Sequence, residues 1–438
     1  MIIKIKQTML IIGDIIALYA SLGITLYFRY GTRLNAQYVH AHLIPFTLLF
    51  VVWIAIFYIA GLYEARNLRN TIVFVRTFGI SVFAGAMASI SIFYAIPYFH
   101  ISPKRNLAIF VGIFLVLGGL WRILFNRSIK LPQRRVLILG DGEELQEIAS
   151  HIESNPQIGY EVAAHIAVPN KDHTAQHIIE SHRPDTIIIS EHLHAPALIK
   201  ELAQQLMHGM EIMDGNAAYQ MFFKKLPLSQ VRELWLTARV SKQKRAYEAV
   251  KSLYEPMIGL VLLGALSPLL LLLYVLVRAT SKGPGLYKQV RIGKKGEPFW
   301  IYKFRSMRQD AEKNGAVFAQ HKDPRVTFVG KFLRFSHLDE LPQLINIVRG
   351  EISFVGPRPE RPEFVAQLKN KVPYYELRHV VKPGITGWAQ VNYRANIDLI
   401  NDTYCKLQYD MYYVQERSLV FDILTVLKTV KMFLFNYK

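Results

Sequence analysis

Two adjacent carboxylates, Asp339 and Glu340, open a segment in which apolar residues keep helical spacing as far as Val348. A rigid turn, Val355-Gly-Pro-Arg-Pro359, follows shortly after. Carboxylates at a helix start can be there simply as caps, because free N–H groups and the helix dipole stabilise them. Beside arginines and a metal ion, the same aspartate would stay ionised and could attack phosphorus to form an acyl phosphate. The neighbouring glutamate could hold Mg²⁺, which offsets diphosphate charge.

The segment that precedes the carboxylates is strongly basic. From Arg291 to Arg334 it contains 11 Lys and Arg residues against four Asp and Glu residues. Such a stretch can be a solvated positive face or can contact anionic lipid headgroups. It can also form a diphosphate pocket, since basic side chains neutralise phosphate oxygens and arginine does so bidentately. We therefore take Lys303 and Arg305, which alternate with apolar residues, as candidate phosphate ligands.

The composition indicates a membrane protein with anionic partners. The 438 residues carry a formal net charge of +19, and 51% of them are hydrophobic. The charge favours phosphorylated substrates or anionic lipid, and a soluble nucleic-acid binder would not need the apolar excess. No nucleic-acid recognition motif is present, so no nucleic-acid partner is expected. The single cysteine, Cys405, excludes an internal disulfide and fits a cytoplasmic location for the soluble parts.

Four apolar segments near the N-terminus are each long enough to cross a bilayer as a helix, which takes about 20 residues. They cover roughly 7–28, 43–62, 73–96 and 106–125. Basic residues at the second turn and after the fourth segment place the N-terminus and everything beyond residue 125 in the cytoplasm, by the positive-inside rule. Within the first segment we expect Asp14 to lie near the membrane interface or against a neighbouring helix rather than in a functional site.

A fifth apolar run, 257–277, contains no charged residue, yet its pattern does not indicate a helix that simply crosses the membrane. Ser267-Pro268 lies in its middle, and proline there removes a helix hydrogen bond and forces a bend. Both flanks are rich in lysine and arginine, so both ends favour the cytoplasmic face. We therefore expect a re-entrant helix that enters one leaflet, breaks at Ser267-Pro268 and returns.

The middle of the chain shows strand, glycine turn and helix in succession. Arg135–Leu139 and Thr186–Ser190 read as buried parallel strands, and Glu143–Ser154 and Ala195–Met207 as helices of a small α/β domain. Its glycine pattern, Gly140-Asp-Gly142, lacks the third small residue of a dinucleotide fingerprint. A turn that needs glycine for backbone reasons explains the pattern better than NAD binding.

The C-terminal motifs resemble the bacterial sugar transferase family, the monotopic polyprenyl-phosphate phosphoglycosyl transferases, over about residues 242–438. The motifs that carry the resemblance are Lys303-Phe-Arg-Ser-Met307, Asp323-Pro-Arg-Val-Thr327, Leu338-Asp-Glu-Leu-Pro-Gln343, Ser353-Phe-Val-Gly-Pro-Arg-Pro359, Lys382-Pro-Gly-Ile-Thr-Gly-Trp-Ala-Gln390 and Lys406-Leu-Gln-Tyr-Asp410. Many ordered motifs in one stretch make the resemblance specific. The preceding spans and α/β domain are similar to the large members, which initiate exopolysaccharide or O-antigen repeat units.

The resemblance implies a reaction. A UDP-sugar donor gives a hexose 1-phosphate, of the glucose or galactose type, to undecaprenyl phosphate, and UMP is released. The implied mechanism is ping-pong, with Asp339 as nucleophile and Glu340 associated with Mg²⁺. Arg334 and Arg358 match arginines placed around substrate phosphate, and Ser267-Pro268 matches the break of a re-entrant helix. His337 departs from the small polar residue expected at its position.

The resemblance also implies a location in the bacterial inner membrane, with the catalytic domain on the cytoplasmic face, and is compatible with a homodimer. The expected architecture therefore has three parts. Residues 1–130 form a four-helix transmembrane region, residues 131–240 a degenerate Rossmann-like α/β domain, and residues 241–438 a mostly helical catalytic domain with the re-entrant helix.

Two other functions remain open on the sequence. One is a membrane-anchored NAD-dependent nucleotide-sugar dehydratase, which an intact third glycine and a Tyr/Lys pair inside the α/β domain would favour. The pair Tyr247 and Lys251 has the right spacing, but it lies just before the fifth apolar run, and we interpret it as chance. The other is a non-catalytic assembly scaffold bound to the membrane, for which Asp339→Ala would preserve function.

Overall fold

The computed structural model contains two compact units, one formed by Met1–Ala218 with the last residues of the chain and one by Tyr219–Met432. The residues that the structure describes are 2–64, 70–95, 103–128, 133–167, 175–190, 200–202, 204, 209–228, 244–309, 311, 323–393 and 399–435.

Four long helices begin the chain and confirm the four predicted membrane helices. They are α1 (Ile2–Tyr30), α2 (Ala36–Ile59), α3 (Ile72–Ala95) and α4 (Pro103–Ser128). Each is long and apolar enough to cross a membrane. Buried aromatic rings fill the space between them, among them Trp53, Phe57, Phe110 and Phe114.

Asp14 is fully buried and faces helix α4, as expected from its position in the first span. Its Oδ1 accepts a hydrogen bond from Arg122 Nε at 3.0 Å, and its Oδ2 accepts one from the Tyr63 hydroxyl at 2.8 Å. Arg122 also donates to the carbonyl of Leu62. Both charges in this cluster therefore have partners. The same hydrogen bonds join α1 and α4 to the segment that follows α2.

A four-stranded parallel sheet follows, in the order β2-β1-β3-β4. Its elements are β1 (Arg134–Leu139), α5 (Glu143–Ser154), β2 (Tyr160–Ile166), α6 (Ala175–His182), β3 (Thr186–Ile189), β4 (Glu211–Asp214) and α7 (Gly215–Phe223). The predicted strands and the helix 143–154 are confirmed, whereas most of the predicted helix 195–207 lies outside the described residues. Gly140 has φ +113°, and a Cβ there would lie 2.4 Å from the Ser190 Cβ, so the turn needs glycine.

The fifth apolar run forms two helices, α8 (Arg245–Ala265) and α9 (Ser267–Thr280), that meet at an angle of 64°. Leu266 separates them, and Pro268 lies in the first turn of α9, where a missing N–H costs nothing. The break is therefore where the sequence predicted it. The Ser267 hydroxyl donates to the carbonyl of Gly264 at 2.7 Å and closes the bend.

The remaining chain is largely helical and contains two small strand pairs. Strands β5 (Leu286–Ile292) and β6 (Pro298–Phe304) are antiparallel, and β7 (Ser353–Val355) and β8 (Gly384–Thr386) are parallel. The helices are α10 (Phe328–Ser336), α11 (Leu344–Val348), α12 (Pro362–Leu368), α13 (Trp388–Asn392), α14 (Leu399–Glu416) and α15 (Leu419–Phe435). Buried apolar residues of β7 and α14 share one core, which includes Val355 and Met411.

Candidate active site

The carboxylate pair lies on a 3-10 helix, Leu338–Gln343, that leads into α11. The predicted helix therefore starts with a tighter turn than α-helical spacing implied. His337 ends α10 in a left-handed conformation, with φ 54°, and its carbonyl accepts the N–H of Glu340 at 3.2 Å. Asp339 is buried, with 9% of its surface exposed. The sharp reversal at His337 thus turns the two carboxylates inward toward β6.

Glu340 is clamped by two cations from distant parts of the sequence. Its Oε1 accepts a hydrogen bond from Lys303 Nζ at 2.6 Å and another from Arg358 Nη2 at 2.9 Å. The Glu340 and Lys303 side chains are only 12% and 18% exposed, whereas Arg358 is 45% exposed. Both bonds join full charges in a partly water-excluded site, which makes them stronger than neutral hydrogen bonds. The structure therefore brings together three of the predicted site residues.

The two carboxyl groups have different electrostatic surroundings. Burial by itself would raise the pKa of Glu340, but the cations of Arg358 and Lys303 outweigh it and hold that pKa far below its usual value. Burial raises the pKa of Asp339, and the charge of Glu340 adds to the increase, while Lys303, His337 and Arg334 oppose it. Glu340 is thus permanently ionised, and Asp339 is the more basic carboxylate of the pair.

A buried network holds the backbone of the Pro-Arg-Pro turn. Arg378 Nη2 donates to the carbonyl of Arg358 at 3.0 Å, and Nη1 donates to the Tyr375 hydroxyl at 2.8 Å. Asp410 on α14 forms an ion pair with Arg378 at 2.8 Å. Sequence reasoning placed Asp410 in a family motif without a role and did not single out Arg378. The only signal for Arg378 was its position four residues before the Lys-Pro-Gly-Ile-Thr motif.

The other predicted phosphate ligands lie in two different places. Arg334, in the last turn of α10, donates from Nε to the Ser306 hydroxyl at 2.9 Å and lies near enough to lower the pKa of Asp339. Arg305 is buried and donates to the Ser281 carbonyl and hydroxyl, away from Glu340. Arg291, which the sequence did not single out as a ligand, lines the narrow cleft that contains Lys303, Glu340 and Arg358.

The donor set fits Mg²⁺ only together with a substrate. Among the described residues no group of three or more His, Cys, Asp or Glu side chains could hold a metal ion. Mg²⁺ is commonly bound through one or two carboxylates plus substrate phosphates rather than by an all-protein cage. Glu340, permanently ionised and adjacent to Asp339, meets that requirement. Glu340 is thus the residue that would hold the ion.

Residues 246–436 match the family model described as bacterial sugar transferase. The chain is 32% identical over 328 residues to a UDP-glucose:undecaprenyl-phosphate glucose-1-phosphate transferase of Escherichia coli (strain K12), covering 68% of this chain and 67% of the relative. This protein belongs to the bacterial sugar transferase family. The resemblance noted in the C-terminal motifs is therefore confirmed, and it covers the segment that contains Lys303, Asp339, Glu340 and Arg358.

The names of the relatives do not all carry the same sugar. A UDP-N-acetylgalactosamine-undecaprenyl-phosphate N-acetylgalactosaminephosphotransferase of Aeromonas hydrophila is 44% identical over 193 residues, which is 44% of this chain and 45% of that protein. A UDP-glucose:undecaprenyl-phosphate glucose-1-phosphate transferase of Xanthomonas campestris pv. campestris is 29% identical over 384 residues, 86% of this chain and 72% of the relative. The match thus spans less than half of the Aeromonas protein's own length.

Proposed function

We propose that this protein transfers a hexose 1-phosphate from a UDP-sugar to undecaprenyl phosphate, as the first membrane step of exopolysaccharide or O-antigen-type synthesis. The observation that carries the proposal is the clamp on Glu340 by Lys303 and Arg358 directly beside the buried Asp339. Names of relatives supply the substrate class, undecaprenyl phosphate and a UDP-sugar. Because those names differ in the sugar, glucose and galactose types stay within a panel of candidate donors.

The chemistry proceeds in two displacements at phosphorus. In the first, a carboxylate oxygen of Asp339 attacks the phosphorus that bears the sugar. A new O–P bond forms, the diphosphate P–O bond breaks, and UMP leaves with the bridging oxygen. In the second, a phosphate oxygen of undecaprenyl phosphate attacks the same phosphorus, so the lipid diphosphate forms and the Asp339 carboxylate is released. A covalent intermediate lets a soluble donor and a lipid acceptor use one site in turn.

Each charged neighbour has a defined part in this scheme. Asp339 is the more basic carboxylate, which suits a nucleophile, because nucleophilicity grows with basicity. Arg358, being 45% exposed, can reach substrate phosphate, and Arg334 lies near enough to Asp339 to lower the pKa of that carboxyl. Lys303 orients Glu340. Mg²⁺, when bound at Glu340, would offset the negative charge on the diphosphate.

The bent pair α8 and α9 would place this chemistry at the membrane surface. We propose that the pair enters the cytoplasmic leaflet of the inner membrane and returns, because basic residues flank both ends. Helix α10, which precedes the carboxylates, exposes three phenylalanines along one face, Phe328, Phe332 and Phe335. An apolar face beside Lys331 and Arg334 suits the headgroup boundary. The lipid phosphate and Asp339 would then lie at one depth.

The native cysteine allows a direct test of this topology. Cys405 lies on α14 and is partly exposed. A membrane-impermeant maleimide should leave it unlabelled in intact cells and label it after lysis. The matched control is Thr32→Cys in a Cys405→Ser background, because the exposed Thr32 lies in the turn between α1 and α2 and should label in intact cells. Labelling of Cys405 in intact cells would show that α8 and α9 cross the membrane as one kinked span.

The reaction is tested with purified protein, Mg²⁺, undecaprenyl phosphate and a panel of UDP-hexoses and UDP-N-acetylhexosamines. UMP release is measured for the wild type, Asp339→Asn and, as a matched control, Glu376→Gln, which removes the charge of an exposed carboxylate. We expect UMP from the wild type with one donor class and none from Asp339→Asn. With donor alone, the wild type should release about one UMP per active site and retain the phosphosugar on the peptide that contains Asp339. UMP release by Asp339→Asn at the wild-type rate would refute the assignment.

A further inference from the structure

A second cavity, with a lining distinct from that of the Glu340 cleft, lies in the same unit. Its volume is about 300 Å³, at the lower end of small-molecule sites. Val355, Val381 and Lys382 contribute to its wall, whereas Gly384 lines the Glu340 cleft. The remaining wall comes from Ser353 of β7, the first three turns of α8, Lys294 in the turn between β5 and β6, Tyr413 of α14, and Arg417, which directly follows α14. The two openings thus share one strand pair but no lining residue.

Six of the 13 residues that line this cavity are charged. Its basic residues are Lys251, Lys294, Lys382 and Arg417, and its acidic residues are Glu248 and Glu255. Lys294 and Arg417 both pair with Glu248, at 3.0 Å and 2.9 Å. Two cations therefore share one carboxylate, which leaves an excess of positive charge on this side of the cavity.

Lys251 is fully occupied by protein groups. Its ammonium lies 2.7 Å from Asp422 Oδ2, and it donates to the hydroxyls of Tyr247 and Tyr413, each at 3.0 Å, and to the carbonyl of Val355 at 2.9 Å. The Tyr-x-x-x-Lys spacing in the sequence is thus part of a buried structural network. This lysine fixes the wall of the cavity rather than offering a charge to a ligand.

Lys382 is different from the other three cations. Across the segments that the structure describes, no carboxylate lies within ion-pair distance of its ammonium and no hydrogen bond satisfies it. Burial lowers its pKa, as do Lys294 and Lys251 nearby, and Glu255 partly offsets the effect. A partly buried cation without an anion, in a cavity with surplus positive charge, is a site that an anion would stabilise.

We propose that this cavity binds a phosphate group, held by Lys382 together with Lys294 and Arg417. The hydroxyl of Ser252, which also lines the cavity, can donate a further hydrogen bond. The cavity lies beside the N-terminal turns of α8, just before its apolar part begins at Met257. If α8 enters the cytoplasmic leaflet as proposed above, the cavity is at headgroup height. The phosphate then belongs to an anionic lipid, and free phosphate is the alternative source.

The test measures how fast the Lys382 amine is acetylated in the full-length protein, residue by residue, by mass spectrometry. The reference is protein in phosphate-free detergent, and the internal control is Lys371, which is exposed and remote from the cavity lining. One arm adds inorganic phosphate, and the other adds phosphatidylglycerol in mixed micelles. At a ligand concentration tenfold above the dissociation constant, labelling of Lys382 should slow about tenfold while Lys371 is unchanged.

The labelling rates either identify the source of the phosphate or overturn the proposal. Slowing by phosphatidylglycerol alone assigns the site to a lipid headgroup, and slowing by inorganic phosphate as well assigns it to a soluble anion. Unchanged labelling in both arms would overturn the proposal. A second measurement covers the case in which Lys382 reacts too slowly to follow. The rise in Tm with phosphatidylglycerol should be smaller for Lys382→Met than for Lys371→Met, and the comparison is repeated with inorganic phosphate. Equal rises in the two variants with both ligands would overturn the proposal. Neither readout depends on transferase activity.

Discussion

The Lys303→Met substitution tests the site most directly, because it removes one charge and keeps the length of the side chain. The bond it removes joins Lys303 Nζ to Glu340 Oε1 at 2.6 Å, between side chains that are 18% and 12% exposed. A hydrogen bond between charged groups in such surroundings contributes about 1.5–3 kcal/mol. Since each 1.36 kcal/mol is tenfold in rate, we expect kcat/KM to fall roughly 10- to 150-fold.

The same substitution should also move the pH profile. Lys303 opposes the raised pKa of Asp339, so its removal raises that pKa further. The nucleophile must be ionised, and activity is therefore lost as pH falls through the pKa of Asp339. The acid limb of kcat/KM, followed through UMP release, should then shift to higher pH in Lys303→Met.

The matched control for this experiment is Lys288→Met. Lys288 lies on β5 of the same hairpin, is exposed and has its ammonium 4.9 Å from the centre of the Trp300 ring, without contact to Glu340. The Lys288→Met substitution should leave kcat/KM and the acid limb of its pH profile close to those of the wild type. If Lys303→Met behaved like this control, the clamp on Glu340 would have no part in catalysis.

Three further substitutions probe the helices around the site and the N-terminal bundle. Arg122→Leu leaves Asp14 as an uncompensated buried charge, which should cost about 3–5 kcal/mol of folding stability and lower the Tm in detergent. The double variant with Asp14→Leu removes that charge as well and should recover part of the lost stability. Gly330→Ala brings a Cβ to 2.0 Å from a backbone carbonyl oxygen, which should lower the free energy of unfolding by about 1–3 kcal/mol in thermal unfolding. The control Gly264→Ala adds a Cβ with nothing within 4 Å and should leave the free energy of unfolding unchanged. Phe335→Ser, at a position 79% exposed, should raise KM for undecaprenyl phosphate roughly tenfold and leave KM for the UDP-sugar unchanged.

For each of these three predictions a specific result would contradict the reasoning. A double variant no more stable than Arg122→Leu alone would mean that Arg122 acts through its aromatic neighbours rather than through Asp14. Equal stability of Gly330→Ala and Gly264→Ala would show that α10 can move away from the backbone of Ser306. An equal rise in both KM values for Phe335→Ser would indicate a general loss of site geometry instead of a lost membrane contact.

Features that depend on a short stretch of chain were predictable from the sequence. A run of about 20 apolar residues must form its backbone hydrogen bonds internally wherever it lies in a membrane, so the four spans could be assigned without a structure. Pro268 favours the first turn of a helix, where its missing N–H is not needed, and α9 begins one residue before it, at Ser267. The carboxylate pair and the Pro-Arg-Pro turn were likewise recognised as motifs.

The directions of the basic side chains were not predictable in the same way. Lys303 and Arg305 are two residues apart, and a continuing strand would direct both to one face. Strand β6 ends at Phe304, however, so Arg305 leaves the sheet and bonds to Ser281 instead of reaching Glu340. Where a strand stops depends on its partner strand, which the local pattern does not reveal.

The sequence alone determined which segments are apolar, where the fifth run bends and which residues have the chemistry for phosphorus. Those properties belong to single residues or to runs of neighbours. The tertiary structure decided which cations meet Glu340, since Lys303 and Arg358 lie 37 and 18 residues away along the chain. It also decided that Asp14 pairs with Arg122, 108 residues away, and that Arg378 holds the carbonyl of Arg358. Pairings of this kind follow from helix phase and strand register across the whole fold, and short-range patterns carry no information about them.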